Sequence, residues 1–264
     1  MTLIKVVKLG GSVITCKDSP FTVNVPVLYD LAHQISKYLR DNLGASLVLI
    51  HGGGSYGHAL VRECLSMYGR ITRECFVRTA HYMMMLNNIV LEVMLANGIE
   101  AVSIPTRSIC YAVDSTVICN VDQIRRCISA GILPVVFGDV VIDISSAGEA
   151  KYIVVSGDKL AQMIAREFHV NEVILVTDVD GIFTSDPKRD KSAKLIKELK
   201  AAEVRGRVKF MEVTDVTGGM GSKVVEMLEY CTEGTRILVI GGFIKDNLYN
   251  ALSMKEFIGT TIWC

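Results

Sequence analysis

Short apolar runs alternate, through most of the chain, with segments in which apolar residues recur every three or four positions. The runs predict buried strands, and the recurring pattern predicts amphipathic helices. Strands are predicted over residues 3–9, 46–50, 101–104, 133–137, 173–177 and 236–240, and helices over 27–43, 79–97, 121–130, 159–168 and 224–231. This alternation predicts a mainly parallel sheet with helices on both faces.

Two segments depart from the alternation. Residues 140–144 and 152–155 are apolar runs joined by the turn-forming stretch 145–150, so they predict an antiparallel hairpin. Residues 187–200 carry charges of both signs, which is typical of a solvated helix or loop. The predicted fold class is therefore α/β: a three-layer αβα sandwich around an open, mainly parallel central sheet, in one domain over residues 1–264.

Charge and cysteine usage exclude several classes of protein. The chain has 28 basic and 28 acidic residues, and this balance argues against nucleic-acid binding, which usually needs a basic face. No run reaches the roughly 18 apolar residues of a membrane helix, and the first residues do not resemble a signal peptide. We therefore expect a cytoplasmic protein with neither nucleic acid nor membrane as a partner. None of the eight cysteines forms a C-x-x-C pair, so we expect reduced, buried thiols and no zinc site.

The first candidate for chemistry is the segment KLGGS at residues 8–12. Lys8 ends a predicted buried strand, and the two glycines let backbone N–H groups approach a ligand closely. An anion would satisfy a lysine that is costly to bury. The alternative is an ordinary strand-to-helix turn in which the lysine reaches solvent.

The second candidate is HGGGSYGH at residues 51–58. Three consecutive glycines between a strand and a predicted helix start are typical of a phosphate-binding turn. His58 lies near the start of that helix, where its imidazole is placed to donate a hydrogen bond to a phosphate. His51 ends the strand, and for it a structural role is as good an interpretation as a functional one.

Three later segments add charged groups to predicted strand ends. In SGDK, residues 156–159, Asp158 either caps a helix or holds lysine ammonium groups in position. TDVDG, residues 177–181, predicts a tight turn, and its spacing does not match a calcium-binding EF-hand loop. TGGMGSK, residues 217–223, places Lys223 near a helix start, where the helix dipole disfavours a cation unless an anion is bound.

Taken in order, these segments resemble the signature set of the amino acid kinase superfamily, from residue 8 to residue 260. The resemblance implies that superfamily's fold, ATP and Mg²⁺ as cofactors, and a homodimer. It also implies that a lobe of about residues 1–150 binds the phosphate acceptor and that residues 151–264 bind ATP.

Within the superfamily, segment 51–58 is most similar to the isopentenyl phosphate kinases, which end the glycine loop in Gly-His as Gly57 and His58 do here. Superfamily members that act on carboxylates lack this histidine, whereas fosfomycin kinases share it and are the alternative. The resemblance implies phosphorylation of isopentenyl phosphate to isopentenyl diphosphate, for isoprenoid biosynthesis by the alternate mevalonate pathway. In the segment ITCKD, residues 14–18, Cys16 stands where aspartate is common, and Tyr56 stands where phenylalanine is usual.

The resemblance also implies roles for individual residues. The implied catalytic residues are Lys8, Lys17, His58, Asp158 and Lys223. The implied ATP-binding residues are Lys8, Gly10, Gly11, Ser12, Gly54, Thr177, Asp178, Gly181, Gly219 and Lys223. The acceptor phosphate would be held by Gly53, Gly54, His58 and Gly157. No protein side chain is expected to bind the metal, because in the family Mg²⁺ is carried mainly by ATP.

Two further expectations concern the acceptor tail and a competing function. A helix rich in methionine would line the hydrocarbon tail, with ordinary core packing as the alternative; its residues are Phe76, Met83, Met84, Met85, Ile89 and Met94. A non-catalytic nucleotide sensor on the same fold is the competing hypothesis. The presence of Lys8, Asp158 and Lys223 argues against such a sensor.

Overall fold

The computed structural model describes residues 4–144, 150–185, 187, 190–202, 231 and 234–264, and within them the predicted alternation of strands and helices is confirmed. Residues 224–230 of the last predicted helix lie outside this range. The elements of the first half are β1 (Ile4–Leu9), α1 (Gly11–Ile14), α2 (Val25–Asp41), β2 (Ser46–His51), α3 (Gly54–Tyr68), α4 (Arg73–Ala96), β3 (Ala101–Ser103), α5 (Thr106–Ile109), β4 (Cys110–Val113), β5 (Thr116–Cys119) and α6 (Asp122–Ser129). Those of the second half are β6 (Leu133–Phe137), β7 (Asp139–Ile144), β8 (Ala150–Val155), α7 (Gly157–Glu167), β9 (Glu172–Thr177), β10 (Glu198–Lys200), β11 (Arg236–Gly241), α8 (Asn247–Leu252) and β12 (Gly259–Trp263).

The central sheet has the strand order β10-β12-β11-β9-β1-β2-β6-β3. All neighbouring strands are parallel except β11 and β12, which are antiparallel. The inner strands are buried on both faces, as the continuous apolar run of β6 shows: all five of its residues are buried. The mainly parallel sheet is therefore confirmed.

Helices cover both faces of this sheet and give it two hydrophobic cores. Val7 and Leu9 of β1 belong to the core formed with α2, α4 and α8. Val6, which points to the opposite face, belongs to the core formed with α6 and α7. Successive side chains of a strand point to opposite faces, so each apolar strand supplies both cores. The three-layer αβα sandwich is confirmed.

A second, four-stranded sheet of order β5-β4-β7-β8 lies beside the core of α6 and α7. The predicted hairpin is present in it as the antiparallel pair β7 and β8. The hairpin of β4 and β5 and the antiparallel strand β12 were not predicted. Residues 198–200, within the charged stretch expected to be a helix or loop, form the short strand β10 instead. Helix α4 begins six residues before its predicted start, because the Thr72 hydroxyl caps it and accepts a hydrogen bond from Cys75 N at 3.2 Å.

The expectation of reduced thiols is wrong for six of the eight cysteines. Disulfides join Cys64 to Cys75, Cys110 to Cys119 and Cys231 to Cys264, whereas Cys16 and Cys127 are free. The folded chain brings each pair within reach, since Cys64 and Cys75 lie on the successive helices α3 and α4, and Cys110 and Cys119 on the paired strands β4 and β5. None of the spacings forms a motif that identifies such a pair in the sequence. Across the ranges described above, no helix is long and apolar enough to cross a membrane.

Candidate active site

The glycines that follow the parallel strands meet at one edge of the central sheet. Gly10 N donates to Val176 O of β9 at 2.8 Å, and Gly52 N donates to Leu9 O of β1 at 3.0 Å. Gly138 N and Gly242 N make the same kind of bond, to the carbonyls of the last residues of β2 and β9. The carboxyl ends of five strands are therefore tied together, at the edge where open α/β sheets bind ligands.

The first two glycine turns touch each other directly. A methyl group at Gly11 would lie within 2.6 Å of Gly54 Cα and closer still to Gly54 N, and one at Gly52 would lie 2.7 Å from Gly11 N. Gly54 also has a positive φ of 46°. Only glycine tolerates these approaches, so the two turns pack main chain against main chain, with the Thr15 hydroxyl accepting from Ser55 N at 2.9 Å beside them.

Lys8 and Asp158 meet beside these turns. Lys8 Nζ donates to Asp158 Oδ1 at 2.6 Å, and the exposed fractions of their side chains are 14% and 37%. Helix α7 is capped by the Ser156 hydroxyl, which accepts from Lys159 N at 3.0 Å, so Asp158 is not the capping residue. Gly157 lies so close that a methyl group there would stand 3.3 Å from Lys8 Cε. The carboxylate thus holds the lysine at the strand ends.

A second ion pair connects the loop after α1 to the end of β9. Lys17 Nζ donates to Asp178 Oδ2, and Ser12 Oγ donates to Asp178 Oδ1 at 2.9 Å. Burial raises the pKa of the Asp178 carboxyl, but the hydrogen bonds from Lys17 and Ser12 outweigh burial and hold the pKa below its usual value. Asp178 is therefore ionised at neutral pH and holds Lys17 at the same edge of the sheet.

The turn after β9 is held by its own side chains. Thr177 Oγ1 donates to Val179 O at 2.7 Å. Gly181 has a φ of 145°, and a methyl group there would lie 2.7 Å from Leu195 Cδ1 and 2.8 Å from Thr260 Oγ1. The close packing of the chain itself therefore requires glycine at this position.

The two histidines of the second glycine segment have different environments. His58 is exposed on α3, one helical turn after Gly54. His51 is fully buried, stacks on Phe137 with ring centroids 5.2 Å apart, and has Nε2 3.3 Å from Asn87 Oδ1. Burial lowers the pKa of His51 to about 4, so its imidazole is neutral at physiological pH and its role is structural.

The buried imidazole makes stability depend on pH. Its pKa is about 4 when folded and about 6.5 when unfolded, so its contribution is complete above pH 6.5 and is lost as the pH falls to about 4. We expect a loss of roughly 3 kcal/mol over this range. Urea unfolding at pH 7 and pH 4 should show a smaller loss for His51→Gln than for the wild type. His33→Ala, which removes an exposed histidine of α2, is the control, and equal losses in all three proteins would contradict the assignment.

Most, but not all, of the predicted site residues fall within the described structure. The turns that contain Gly10, Gly11, Gly53 and Gly54 are brought together with Lys8, Gly157 and Asp158. Lys223 and Gly219, with the whole predicted segment 217–223, lie outside the described residues. Sequence reasoning missed the pairing of Lys17 with Asp178, because nothing in the sequence shows that β1 and β9 are neighbours. It also missed Asn87, which joins His51 to Ser103 Oγ.

The methionine-rich helix is only in part a candidate pocket wall. Met83 and Met94 are buried in the core, whereas Met85 is 43% exposed. Phe76 packs against Tyr152 of β8 with ring centroids 5.0 Å apart. Core packing therefore accounts for at least two of the six residues expected to line the tail.

Comparison with known proteins identifies the family. The family model for the amino acid kinase family matches residues 4–241. The chain belongs to the amino acid kinase family. Its resemblance in sequence motifs agrees with this membership.

Other amino acid kinases resemble this one over nearly its full length. It is 33% identical to the isopentenyl phosphate kinase of Methanothermobacter thermautotrophicus, over 97% of this chain and 98% of that protein. It is 29% identical to the isopentenyl phosphate kinase of Methanocaldococcus jannaschii, over 98% of each chain. A solved structure of isopentenyl phosphate kinase superimposes with a TM-score of 0.80 at 31% identity and covers 98% of this chain and 100% of that one.

The residues of this amino acid kinase suit the phosphates of a nucleotide. Gly11, Gly52 and Gly54 leave no space for a side chain, so the two turns approach each other closely, and glycine-rich turns of this kind can bind phosphate through backbone N–H groups. Lys8 and Lys17 bring positive charge to the same edge of the sheet. In the part of the chain that the structure describes, no three His, Cys, Asp or Glu side chains cluster closely enough to hold a metal ion.

Proposed function

We propose that the protein transfers the terminal phosphoryl group of ATP to isopentenyl phosphate and forms isopentenyl diphosphate and ADP. The observation that carries the acceptor assignment is His58, one turn beyond a glycine turn that contacts Gly11, in a chain 33% identical to an isopentenyl phosphate kinase. The product serves isoprenoid biosynthesis by the alternate mevalonate pathway.

The chemistry follows from the charge of the two substrates. An oxygen of the acceptor phosphate attacks the terminal phosphorus of ATP, and the bond from that phosphorus to the bridging oxygen breaks. The acceptor oxygen is already ionised, so no strong general base is required. The obstacle is repulsion between anions, which positive side chains and backbone N–H groups reduce in the transition state. Mg²⁺ would be carried by ATP and would neutralise charge on its phosphates.

The geometry supports a division of roles among the site residues. Lys8 and Lys17 face the transferred group, with Lys223 as a third cation proposed from the sequence. Asp158 holds Lys8 in place through the 2.6 Å contact, and by resemblance it would hold Lys223 as well. His58 and the backbone of Gly53, Gly54 and Gly157 hold the acceptor phosphate. By resemblance, Gly10, Gly11, Ser12, Thr177, Asp178 and Gly181 would face the nucleotide, although the glycine at 181 is also required by chain packing. Gly219 would do so as well, and it lies outside the described residues.

The same proposal extends to the organisation of the protein. Residues 1–150 supply the acceptor lobe, since they include His58 and the second glycine turn. Residues 151–264 supply the ATP lobe, since they include Asp178 and the turn after β9. We also propose, from the family resemblance, a cytoplasmic homodimer.

An acceptor panel tests the function. Purified protein with ATP and Mg²⁺ should convert isopentenyl phosphate to the diphosphate and should turn over fosfomycin and acetylglutamate far more slowly. His58→Ala should raise KM for isopentenyl phosphate by about 10- to 100-fold, the cost of losing a hydrogen bond to a charged group. KM for ATP should change little, because His58 belongs to the acceptor side of the site.

The control for this panel is His33→Ala, since His33 is an exposed histidine on α2 and belongs to neither glycine turn. Its kinetic constants should match those of the wild type. Faster turnover of fosfomycin would replace the proposed acceptor with a phosphonate. Tight ATP binding without any phosphorylated product would favour a nucleotide sensor. Equal increases in both KM values for His58→Ala would contradict the role of the histidine.

A further inference from the structure

The loop that carries Lys17, residues 15–24, is closed at its base by main-chain contacts. Thr15 and Val23 form an isolated antiparallel bridge. Cys16 N donates to Thr22 O at 2.9 Å, and Asn24 N donates to Ile14 O at 2.9 Å. The loop is therefore a short arm with a fixed base, and Lys17 lies beyond this base, on the arm itself.

An aromatic side chain attaches the arm to two helices. The ring of Phe21 stacks on Tyr82 of α4, with centroids 4.2 Å apart and an interplanar angle of 21°. It also meets Tyr56 of α3 edge-on, with centroids 5.7 Å apart and an interplanar angle of 80°. Each such aromatic pair contributes about 0.5–1.5 kcal/mol beyond the burial of its surface.

The backbone of Phe21 has an unfavourable conformation, which the ring contacts help to maintain. Its φ is +51°, in the left-handed region, which costs a non-glycine residue roughly 1–2 kcal/mol. Its side chain is 37% exposed, so burial in the core does not explain the position. A conformation of this kind persists only where surrounding contacts hold it. Here the Phe21 ring contacts the two tyrosine rings, and the adjoining Thr22 accepts from Cys16 N and donates to Pro20 O.

The arm thus joins the two sides of the site. Phe21 contacts the helices that carry and flank His58, whereas Lys17 contacts Asp178 at the end of β9. The Lys17 side chain is 55% exposed, so packing restricts it little and the ion pair with Asp178 is the described contact of its ammonium group. Holding a long side chain in one geometry costs side-chain entropy, and a fixed arm lowers the further cost of placing its ammonium group.

We propose that Phe21 is a positioning residue, which fixes the Lys17 ammonium at the reacting phosphates by locking the arm onto α3 and α4. This attachment of the arm to α3 and α4 through Phe21, called the lock below, exists in the protein without substrates. Its kinetic consequence rests on the proposed function, because it requires Lys17 to act on the transferred phosphoryl group.

The lock can be tested without any substrate, by the reactivity of the thiol next to Lys17. Cys16 is partly exposed, Cys127 is buried, and the other six cysteines are paired, so iodoacetamide under non-reducing conditions should report mainly on Cys16. Phe21→Ala should raise its alkylation rate by about fivefold or more, as expected for local opening of the arm. Phe21→Tyr, which keeps the ring, should react like the wild type.

Met254→Ala is the matched control for this experiment. Met254 also has a positive φ, +56°, and is 69% exposed, but it follows α8, near the Leu252 carbonyl to which Lys5 donates at the start of β1. Its alkylation rate should equal that of the wild type. An unchanged rate in Phe21→Ala, or an equal rise in Met254→Ala, would overturn the lock.

A double-mutant cycle tests whether Phe21 acts through Lys17. Phe21→Ala should lower kcat by about tenfold and change KM for ATP less than threefold, and Phe21→Tyr should restore kcat. In a Lys17→Met background the same substitution should have almost no further effect. An equal loss in both backgrounds would overturn the positioning role. Absence of turnover in the wild type would instead reject the proposed acceptor, while the alkylation result would still decide the lock.

Discussion

Lys8→Met is expected to lower kcat by about two to three orders of magnitude, the usual result of removing one preorganised group that stabilises transition-state charge. Methionine keeps the length of the aliphatic stem, which is largely buried, and removes only the ammonium. The charge is most valuable when negative charge accumulates on the phosphoryl oxygens, so the loss should fall on kcat more than on KM for ATP. Steady-state kinetics with both substrates varied give the two constants.

A control on the same strand separates loss of chemistry from loss of stability. Lys5 of β1 resembles Lys8 in burial, since its side chain is 13% exposed against 14%, and it is also paired, with Glu172 at 2.7 Å. It lies towards the other end of the strand and donates to Leu252 O. Lys5→Met should lower the unfolding midpoint and leave kcat per folded molecule unchanged. A kcat for Lys8→Met within threefold of the wild type would remove Lys8 from the catalytic set.

The sequence predicted the central sheet well because local pattern and burial agree there. A strand buried on both faces is a continuous apolar run, and β6 and β9 have nearly the same limits in the structure as in the prediction. The hairpin of β4 and β5 was missed although residues 109–113 and 117–119 are apolar, because both strands are only four residues long and such short runs do not identify a strand by themselves. Strand β12 was missed because its antiparallel pairing with β11 is determined by tertiary contacts, which leave no local pattern in the sequence.

In the candidate site, too, the sequence predicts some features, and others depend on tertiary contacts. Each glycine turn could be found from the sequence, since glycine at a strand end has few structural explanations. The contacts between turns could not, because they depend on which strands are neighbours. Asp178 was assigned to the nucleotide, and only the pairing of β1 with β9 shows that it also holds Lys17 and Ser12. Similarly, Phe21 is distant from Tyr82 in the chain and meets it only through the loop after α1.

Strand pairing also explains why the site combines cations with carboxylates. Lysines gathered around a phosphate site repel one another before substrate arrives. Asp158 and Asp178 each accept a hydrogen bond from one lysine, Lys8 and Lys17 respectively, so the protein's own carboxylates hold the ammonium groups in place. Each pair joins residues 1–150 to residues 151–264, the proposed acceptor and ATP lobes. We infer that correct packing of the two halves is itself a condition for catalysis.

Gly11→Ala is the second substitution with a large expected effect, and it acts through the backbone. The new methyl group would stand within 2.6 Å of Gly54 Cα and 3.2 Å of Gly52 C, both main-chain atoms that cannot rotate away. The two glycine turns must therefore separate, which displaces the N–H groups proposed to bind phosphate. We expect kcat/KM to fall by about 100-fold or more, since a displacement of about 1 Å at a reacting centre has effects of this size. We also expect a loss of stability of about 1–3 kcal/mol from overpacking.

Gly98→Ala distinguishes this steric conflict from the general cost of replacing a glycine. Gly98 has a φ of +74° and nothing within 4 Å of the position that its Cβ would take, so alanine there is strained by backbone conformation alone. It should lose about 1–2 kcal/mol of stability and keep its kcat/KM. Gly11 has no such left-handed φ, so any loss in Gly11→Ala arises from contact with the second turn. Equal kinetic constants in the two variants would mean that the contact between the turns is unnecessary for phosphoryl transfer, whereas a large loss confined to Gly11→Ala would show that it is required.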